Sequence, residues 1–319
     1  MGSNLEVFLE AATPQLRWRS ASMDCFEAPS NVWQLDKRDV VDYFTLDDLW
    51  EHYAESSAYG LAVPLRLHHA GDDDDDAIVT QHFVPYLSAI QIYTTKPLAI
   101  PRSIMGSETD SWSDGSSIGD KLSRSWDDAA SDDSSSEELD GVPARQQSGH
   151  LSFQYREWDP PYERAPLSDK VAELAQDYPC LMSLKSAELS PSSWLSVAWY
   201  PIYHIPAHVN LKGISSCFLT YHCISSVFQD KILVEEEGSG SDDRTVALSP
   251  FGMATYRMDQ GSNGLWNMQP AAADGRSSSK RLTDLHWAAA SWLKQVGAQH
   301  PDFDFFTSAI RRPCMASLN

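Results

Sequence analysis

Residues 193–205, Ser-Trp-Leu-Ser-Val-Ala-Trp-Tyr-Pro-Ile-Tyr-His-Ile, constrain the fold more than any other stretch. Side chains of an extended strand point alternately to its two faces, and here both alternating sets are mostly apolar: Leu195, Val197, Trp199, Tyr203 and Ile205 on one, Trp194, Ala198, Tyr200 and Ile202 on the other. Such a strand belongs in the middle of a sheet covered on both sides. Pro201 cannot donate to a ladder, so the same run predicts a bulge or a missing partner beside it. Residues 216–225 could pair back across the intervening loop as an antiparallel hairpin.

Further strand-like runs lie at residues 78–84, 88–94, 151–156, 254–258 and 304–307. Helical spacing is carried by Leu5, Phe8 and Leu9 after Asn4 as N-cap, and by Leu46, Leu49, Trp50 and Tyr53 behind a Thr45/Asp48 capping box. Leu167, Val171, Leu174 and Ala175 follow Pro166. The last set, Leu282, Leu285, Ala289, Trp292, Leu293 and Val296, ends before Gly297, a suitable C′ residue. Helices that do not alternate strictly with strands favour an α+β fold: one domain, with a mainly antiparallel sheet flanked by about four helices.

That domain, spanning residues 1–319, is interrupted. Residues 101–150 hold 13 Ser, 11 Asp or Glu and only 4 Lys or Arg, too little apolar surface to offset the entropy of ordering. The segment reads as a disordered acidic insert. Asp72 to Asp76, residues 235–244 and residues 259–279 read as shorter solvated loops. Within the insert Ser107, Ser111, Ser117, Ser125, Ser134 and Ser135 each have an acid three residues downstream, the pattern an acid-directed kinase accepts. Trp112 and Trp126 sit in two similar tetrads, Ser-Trp-Ser-Asp and Ser-Trp-Asp-Asp. A lone aromatic among acids can anchor a short motif in a basic-rimmed pocket of a partner, while the plain alternative is a solubilising tether.

The net charge of −21 works against nucleic acid and anionic membrane as partners, because affinity for phosphates comes from Lys and Arg. No run approaches the roughly 20 apolar residues that cross a bilayer. The N-terminus has no basic n-region before an apolar core and carries Glu6 and Glu10, so secretion and import are not expected; the match to a myristoylation signal is poor. Five cysteines without a Cys-x-x-Cys pair fit reduced thiols of cytoplasm or nucleus.

No chemistry-bearing motif stands out. His204-x3-His208 with Cys217, His222 and Cys223 offers zinc donors, yet two residues four apart on a strand lie about 13 Å from each other, so no metal is expected. His68-His69 before five aspartates lacks the spacing of a calcium loop. There is no nucleophile elbow, no phosphate-cradling loop and no cofactor signature, so no catalytic residue is assigned and no cofactor expected. Tyr86, Trp194, Trp199, Tyr203 and His204 form the candidate ligand or partner surface, for which the simpler alternative is core.

The segment Leu189-Ser-Pro-Ser-Ser-Trp-Leu-Ser-Val-Ala-Trp-Tyr-Pro-Ile-Tyr-His-Ile-Pro206 resembles the central signature of a plant family catalogued as domain of unknown function 789. So do Asp47-Asp48-Leu49-Trp50-Glu51, Ser57-Ala58-Tyr59-Gly60 with Val63-Pro64-Leu65, and Val84-Pro85-Tyr86-Leu87-Ser88. Further matches are Pro160-Pro161-Tyr162 with Arg164, Pro166-Leu167 with Asp169-Lys170, Cys217-Phe218-Leu219-Thr220-Tyr221-His222, and His300-Pro301-Asp302-Phe303. His204 departs from the pattern, where arginine is expected. The resemblance implies a plant protein built on one family domain and carries over no catalytic residue. The expected function is a non-enzymatic interaction or regulatory protein with a phosphorylatable acidic loop and an unknown protein partner. The rival is an enzyme or small-molecule binder using the aromatic strand 193–205.

Overall fold

An 18-residue strand, β5 (Ala77–Thr94), organises the molecule. The computed structural model describes residues 3–22, 24, 26, 40–67, 77–95, 149–207, 216–228, 244–257 and 276–308. All described elements fall in one compact unit, made of Met1–Leu98 with Ser148–Asn319. In chain order they are α1 (Asn4–Ala11), β1 (Gln15–Arg17), β2 (Arg19–Ser22), β3 (Val40–Tyr43), α2 (Leu46–Tyr59), β4 (Leu61–Leu67), β5 and β6 (His150–Arg156). Then come α3 (Leu167–Asp177), α4 (Cys180–Ser183), β7 (Trp194–Ile205), β8 (Ser216–Cys223), β9 (Thr245–Ala247), β10 (Gly252–Arg257), α5 (Arg276–Val296) and α6 (Pro301–Ser308). The fold is α+β with a mainly antiparallel sheet; six α-helices, rather than four, occur among the described residues.

The main sheet runs β10-β8-β7-β5-β4, and β6 pairs the far end of β5 on the same side as β4. Every pairing is antiparallel. β5 fuses the two expected runs 78–84 and 88–94, because Pro85 pairs opposite Trp199 in the ladder and bends nothing out of it. β4 escaped the sequence reading because Pro64 sits inside it. Proline is tolerated there because β4 is an edge strand, and Val63, Leu65 and Leu67 still alternate inward.

Two bulges shape the β5–β7 pairing. Ile202 is the extra residue in β7, between the His82/Tyr203 and Phe83/Pro201 partners, and Ser88 is the extra residue in β5, between Leu87/Val197 and Ala89/Ser196. Pro201 thus lies beside a bulge on one side, and on the other side the ladder to β8 ends at Trp199 and Phe218.

Both sheet faces are covered, as expected for β7. On one, Phe8 of α1, Leu49 and Tyr53 of α2 and Leu167 of α3 pack with Phe83, Ile90, Val197, Trp199 and Phe218. On the other, Ala289 and Leu293 of α5 and Phe306 of α6 pack with Ala89, Trp194, Ala198, Leu219, Tyr221 and Ala254. Coverage stops short at one end: β7 is buried from Trp194 to Trp199 and half-buried to exposed beyond.

Local signals explain most boundaries. Ser3, not Asn4, is the N-cap of α1, in a capping box with Glu6; Asn4 instead hydrogen-bonds both backbone groups of Arg66, fastening α1 to β4. Thr45 and Asp48 form the expected box at α2, with Arg19 closing on Asp48. Gly297, at φ 63°, ends α5 in the left-handed region that glycine tolerates best. Residues 304–307 are helical rather than extended. Pro301 at the first helical position and Asp302 and Asp304 in the first turn are what a helix start favours. The expected insert 101–150 overlaps the described residues only at its end, where His150 already belongs to β6; residues 101–148 lie outside them.

Candidate functional site

The five aromatic and imidazole residues proposed as a surface fall on different faces. Trp194 and Trp199 are core: each is 1% exposed, and their indole N–H groups donate to Gln91 Oε1 at 2.9 Å and Thr220 Oγ1 at 3.1 Å. The alternation sends them into opposite hydrophobic layers, as the reading of a strand covered on both faces expects. Tyr86 is half-buried, edge-on to Tyr200 with ring centroids 5.6 Å apart. Tyr203 is exposed, stacks on His82 at 4.3 Å and donates to the Tyr59 carbonyl at 3.2 Å. His204, half-buried, pairs with Gln81 on the opposite face from Tyr203. Trp112, Trp126, Ser125, Ser134 and Ser135 lie outside the described residues.

Around Tyr203 the sheet leaves a corner bare. Ile78 is 61% exposed, Ile202 47%, Tyr203 46% and Ile205 57%. Because Thr80 pairs with Ile205 and His82 with Tyr203, the side chains of Tyr203, Ile205 and Ile78 share one face of two adjacent strands. Large apolar side chains held on a rigid sheet are the kind of surface that marks a contact site.

A second constellation was not anticipated. The bulge aims Ser88 into the layer under α6, where its hydroxyl donates to Asp302 Oδ2 at 2.5 Å and meets His300 Nε2 at 2.8 Å. His300 Nδ1 lies 2.6 Å from the Tyr221 hydroxyl, and Arg164 grips Asp302 through two 2.7 Å bonds. Ser88, Tyr221, His300 and Asp302 are all buried. Burial pushes His300 down to about 4, with Asp302 opposing only in part, so the ring is neutral at pH 7.

The hydrogens then run one way. The single Ser88 proton goes to Asp302, so the Ser88–His300 bond needs N–H on Nε2, and Nδ1 accepts from Tyr221. A serine–histidine–aspartate set is present, but Asp302 bonds the serine rather than the histidine, and in this tautomer the histidine offers the serine an N–H instead of a lone pair. The arrangement locks α6 to β5, β8 and the loop after β6. Asp302 was invisible as a partner because residues 304–307 read as a strand; the proline-plus-acids signature of a helix start was the available signal.

The zinc donors weighed in the sequence do not converge among the described residues. Cys217 and Cys223 lie on one face of β8 and His222 on the other, where its Nδ1–H donates to the Leu248 carbonyl at 2.7 Å. Burial raises Cys217 to about 12 and Cys223 to about 11, and lowers His222 to about 4. Among the described residues no three His, Cys, Asp or Glu side chains are grouped to hold an ion. His208 lies outside them. No described helix is long and apolar enough to cross a membrane.

A family model described as "Protein of unknown function (DUF789)" matches residues 3–306. The chain belongs to this family. No curated protein and no solved structure matches the chain. Four segments that carry the family resemblance, Val84 to Ser88, Pro160 to Arg164, Cys217 to His222 and His300 to Phe303, meet in the buried network through Ser88, Arg164, Tyr221 and His300 with Asp302. In this DUF789 chain those motifs therefore describe how the sheet, the loop after β6 and α6 are held together.

Proposed function

We propose that this is a non-enzymatic interaction or regulatory protein of plants, cytoplasmic or nuclear, and that the bare corner of the sheet meets a protein partner. The observation that carries this reading is the exposed set Ile78, Ile202, Tyr203 and Ile205 on two strands that are mostly buried toward their other ends. Isoleucine and tyrosine offer contact area with little rotamer entropy to lose, and the sheet holds them in place before binding. The insert of residues 101–150 supplies regulation: Ser125, Ser134 and Ser135 as phosphosites, Trp112 and Trp126 as motif anchors. The rival reading needs an open aromatic cleft, and the two tryptophans that would line it are packed under helices instead.

The test is affinity purification from plant tissue with the intact chain, an Ile205→Asp/Tyr203→Ser variant, and a chain lacking residues 101–148. A partner kept by the intact chain and lost by the corner variant supports the reading. Identical captures by all three, together with turnover of a small-molecule library by the intact chain, would overturn it.

A further inference from the structure

The loop between β6 and α3 shows two large aromatics to solvent from an unusually well-braced backbone. Trp158 is 62% and Tyr162 84% exposed. Mobile exposed loops normally carry small polar side chains, because an apolar ring in water gains nothing. Here the loop is fixed from inside. The buried Glu157 carboxylate accepts from Tyr155 Oη at 2.7 Å and from the backbone N–H groups of Trp158 and Asp159, each at 2.9 Å. The Glu157 N–H donates to the Ser88 carbonyl at 2.9 Å, tying the loop to the β5 bulge. Arg164 closes the other end, with Nε on the Asp159 carbonyl at 2.7 Å and both terminal nitrogens on Asp302. Between the two anchors, Pro160 and Pro161 limit the backbone and Glu163 N–H bonds the Pro160 carbonyl at 3.0 Å.

We infer that this loop is a preorganised docking site for an arginine-bearing segment of a protein partner. Ring faces and carboxylates are what a guanidinium recognises: it stacks on Trp or Tyr and takes a carboxylate by its fork. The loop sequence Glu-Trp-Asp-Pro-Pro-Tyr-Glu-Arg supplies two exposed rings and an exposed carboxylate, Glu163, while its own cation, Arg164, is spent on Asp302. The chain's charge of −21 steers a cationic segment toward it. The fold already uses the same chemistry elsewhere: Lys185 Nζ stands 4.8 Å over the Phe26 ring. Rigidity fits the purpose, since side chains fixed in advance lose little entropy on binding.

The proposal rests on reading the chain as an interaction protein, but not on the sheet corner. Titration calorimetry on the full chain with blocked hexa-arginine, hexalysine and hexacitrulline peptides, at 0.15 M salt, tests it. Hexa-arginine should bind at least tenfold more tightly than hexacitrulline and measurably more tightly than hexalysine. Trp158→Ala/Tyr162→Ala should weaken hexa-arginine about tenfold with the thermal midpoint unchanged, and Trp158→Leu/Tyr162→Leu, which keeps apolar bulk without ring faces, should not restore it. Ile205→Asp should leave this binding intact, which separates failure of the loop from failure of the corner. Affinity untouched by the double alanine variant would mean the acidic segments alone attract the peptide and would overturn the assignment, as would full rescue by leucine.

Discussion

Arg164 and Asp302 stand 138 residues apart in the chain and meet through two parallel 2.7 Å hydrogen bonds, their side chains 4% and 6% exposed. Two buried charges cost desolvation that their attraction offsets only when geometry and further hydrogen bonds are complete. Both conditions hold, since Ser88 also donates to Asp302 and Arg164 also reaches the Asp159 carbonyl. The pair specifies where α6 and the loop after β6 dock.

Arg164→Met should therefore destabilise the protein by about 3–5 kcal/mol, because it strands the Asp302 carboxylate in the core. Arg164→Met/Asp302→Leu should recover part of that loss, by removing the orphaned charge. Urea unfolding of the three proteins measures both. A double variant as unstable as the single one would show that shape, not charge pairing, dominates at this point.

Acid should weaken the fold before the carboxylates titrate. His222 and His300 are both pushed down by burial, from 6.5 to about 4, so between those values the unfolded chain binds protons that the folded one excludes. Stability is then fully present above pH 6.5 and falls as pH drops toward 4, on the order of 3 kcal/mol for each imidazole. Asp48, held below its usual 3.8 by Arg19 and Thr45 although burial opposes them, loses its contribution only at lower pH. Thermal midpoints measured from pH 7 to 4.5 should decline, and His222→Gln should flatten the slope. A constant midpoint over that range would contradict the assignment.

How much was legible follows from what each signal encodes. Trp194 to Trp199, apolar on both alternations, announced a doubly covered strand, and Pro201 announced its irregular end; both are local patterns set by period and by a missing N–H. The Thr45/Asp48 box was legible for the same reason. Burial of the two tryptophans was not separable from exposure of Tyr203 and Ile205, because coverage depends on where α5 and α6 stop. That is a tertiary fact. The Ser88 network was hidden for a related reason: a bulge, a loop and a helix start contribute one or two residues each, and no spacing within any one of them hints at the others. Residues 304–307 misled because Phe303, Phe305 and Phe306 mimic a strand when the Pro301 and Asp302 signals are ignored.

At Gly252, α5 comes close against β10. A Cβ placed there would lie 2.9 Å from the Ala289 backbone nitrogen and 3.0 Å from its Cα and Cβ, with backbone that cannot swing aside. Gly252→Ala should force α5 off β10 and cost about 1–3 kcal/mol, as overpacking does. Reduced amide protection along residues 282–296, alongside a lower urea midpoint, is the expected signature. Unchanged protection would mean that the helix shifts without loss.

The expected insert falls between the two strands of a hairpin. Thr94 and His150 are direct partners in the antiparallel β5–β6 ladder, so the 55 residues from 95 to 149 link neighbouring strand ends. Closing a loop costs entropy that grows only with the logarithm of its length, and shortening this one to four residues removes about 2 kcal/mol of that cost, less any strain in the tight turn. Replacing residues 96–148 by Asn-Gly leaves Thr94-Thr95-Asn-Gly-Gly149-His150; Gly149 already sits at φ 78°, which suits a turn. The shortened chain should fold cooperatively with stability equal to or up to about 2 kcal/mol above the parent. Its urea transition, read by tryptophan fluorescence with only Trp112 and Trp126 lost, checks this. A shortened chain that fails to fold would show that residues 96–148 pack against the core. One that folds but loses a captured partner would assign that partner to the insert.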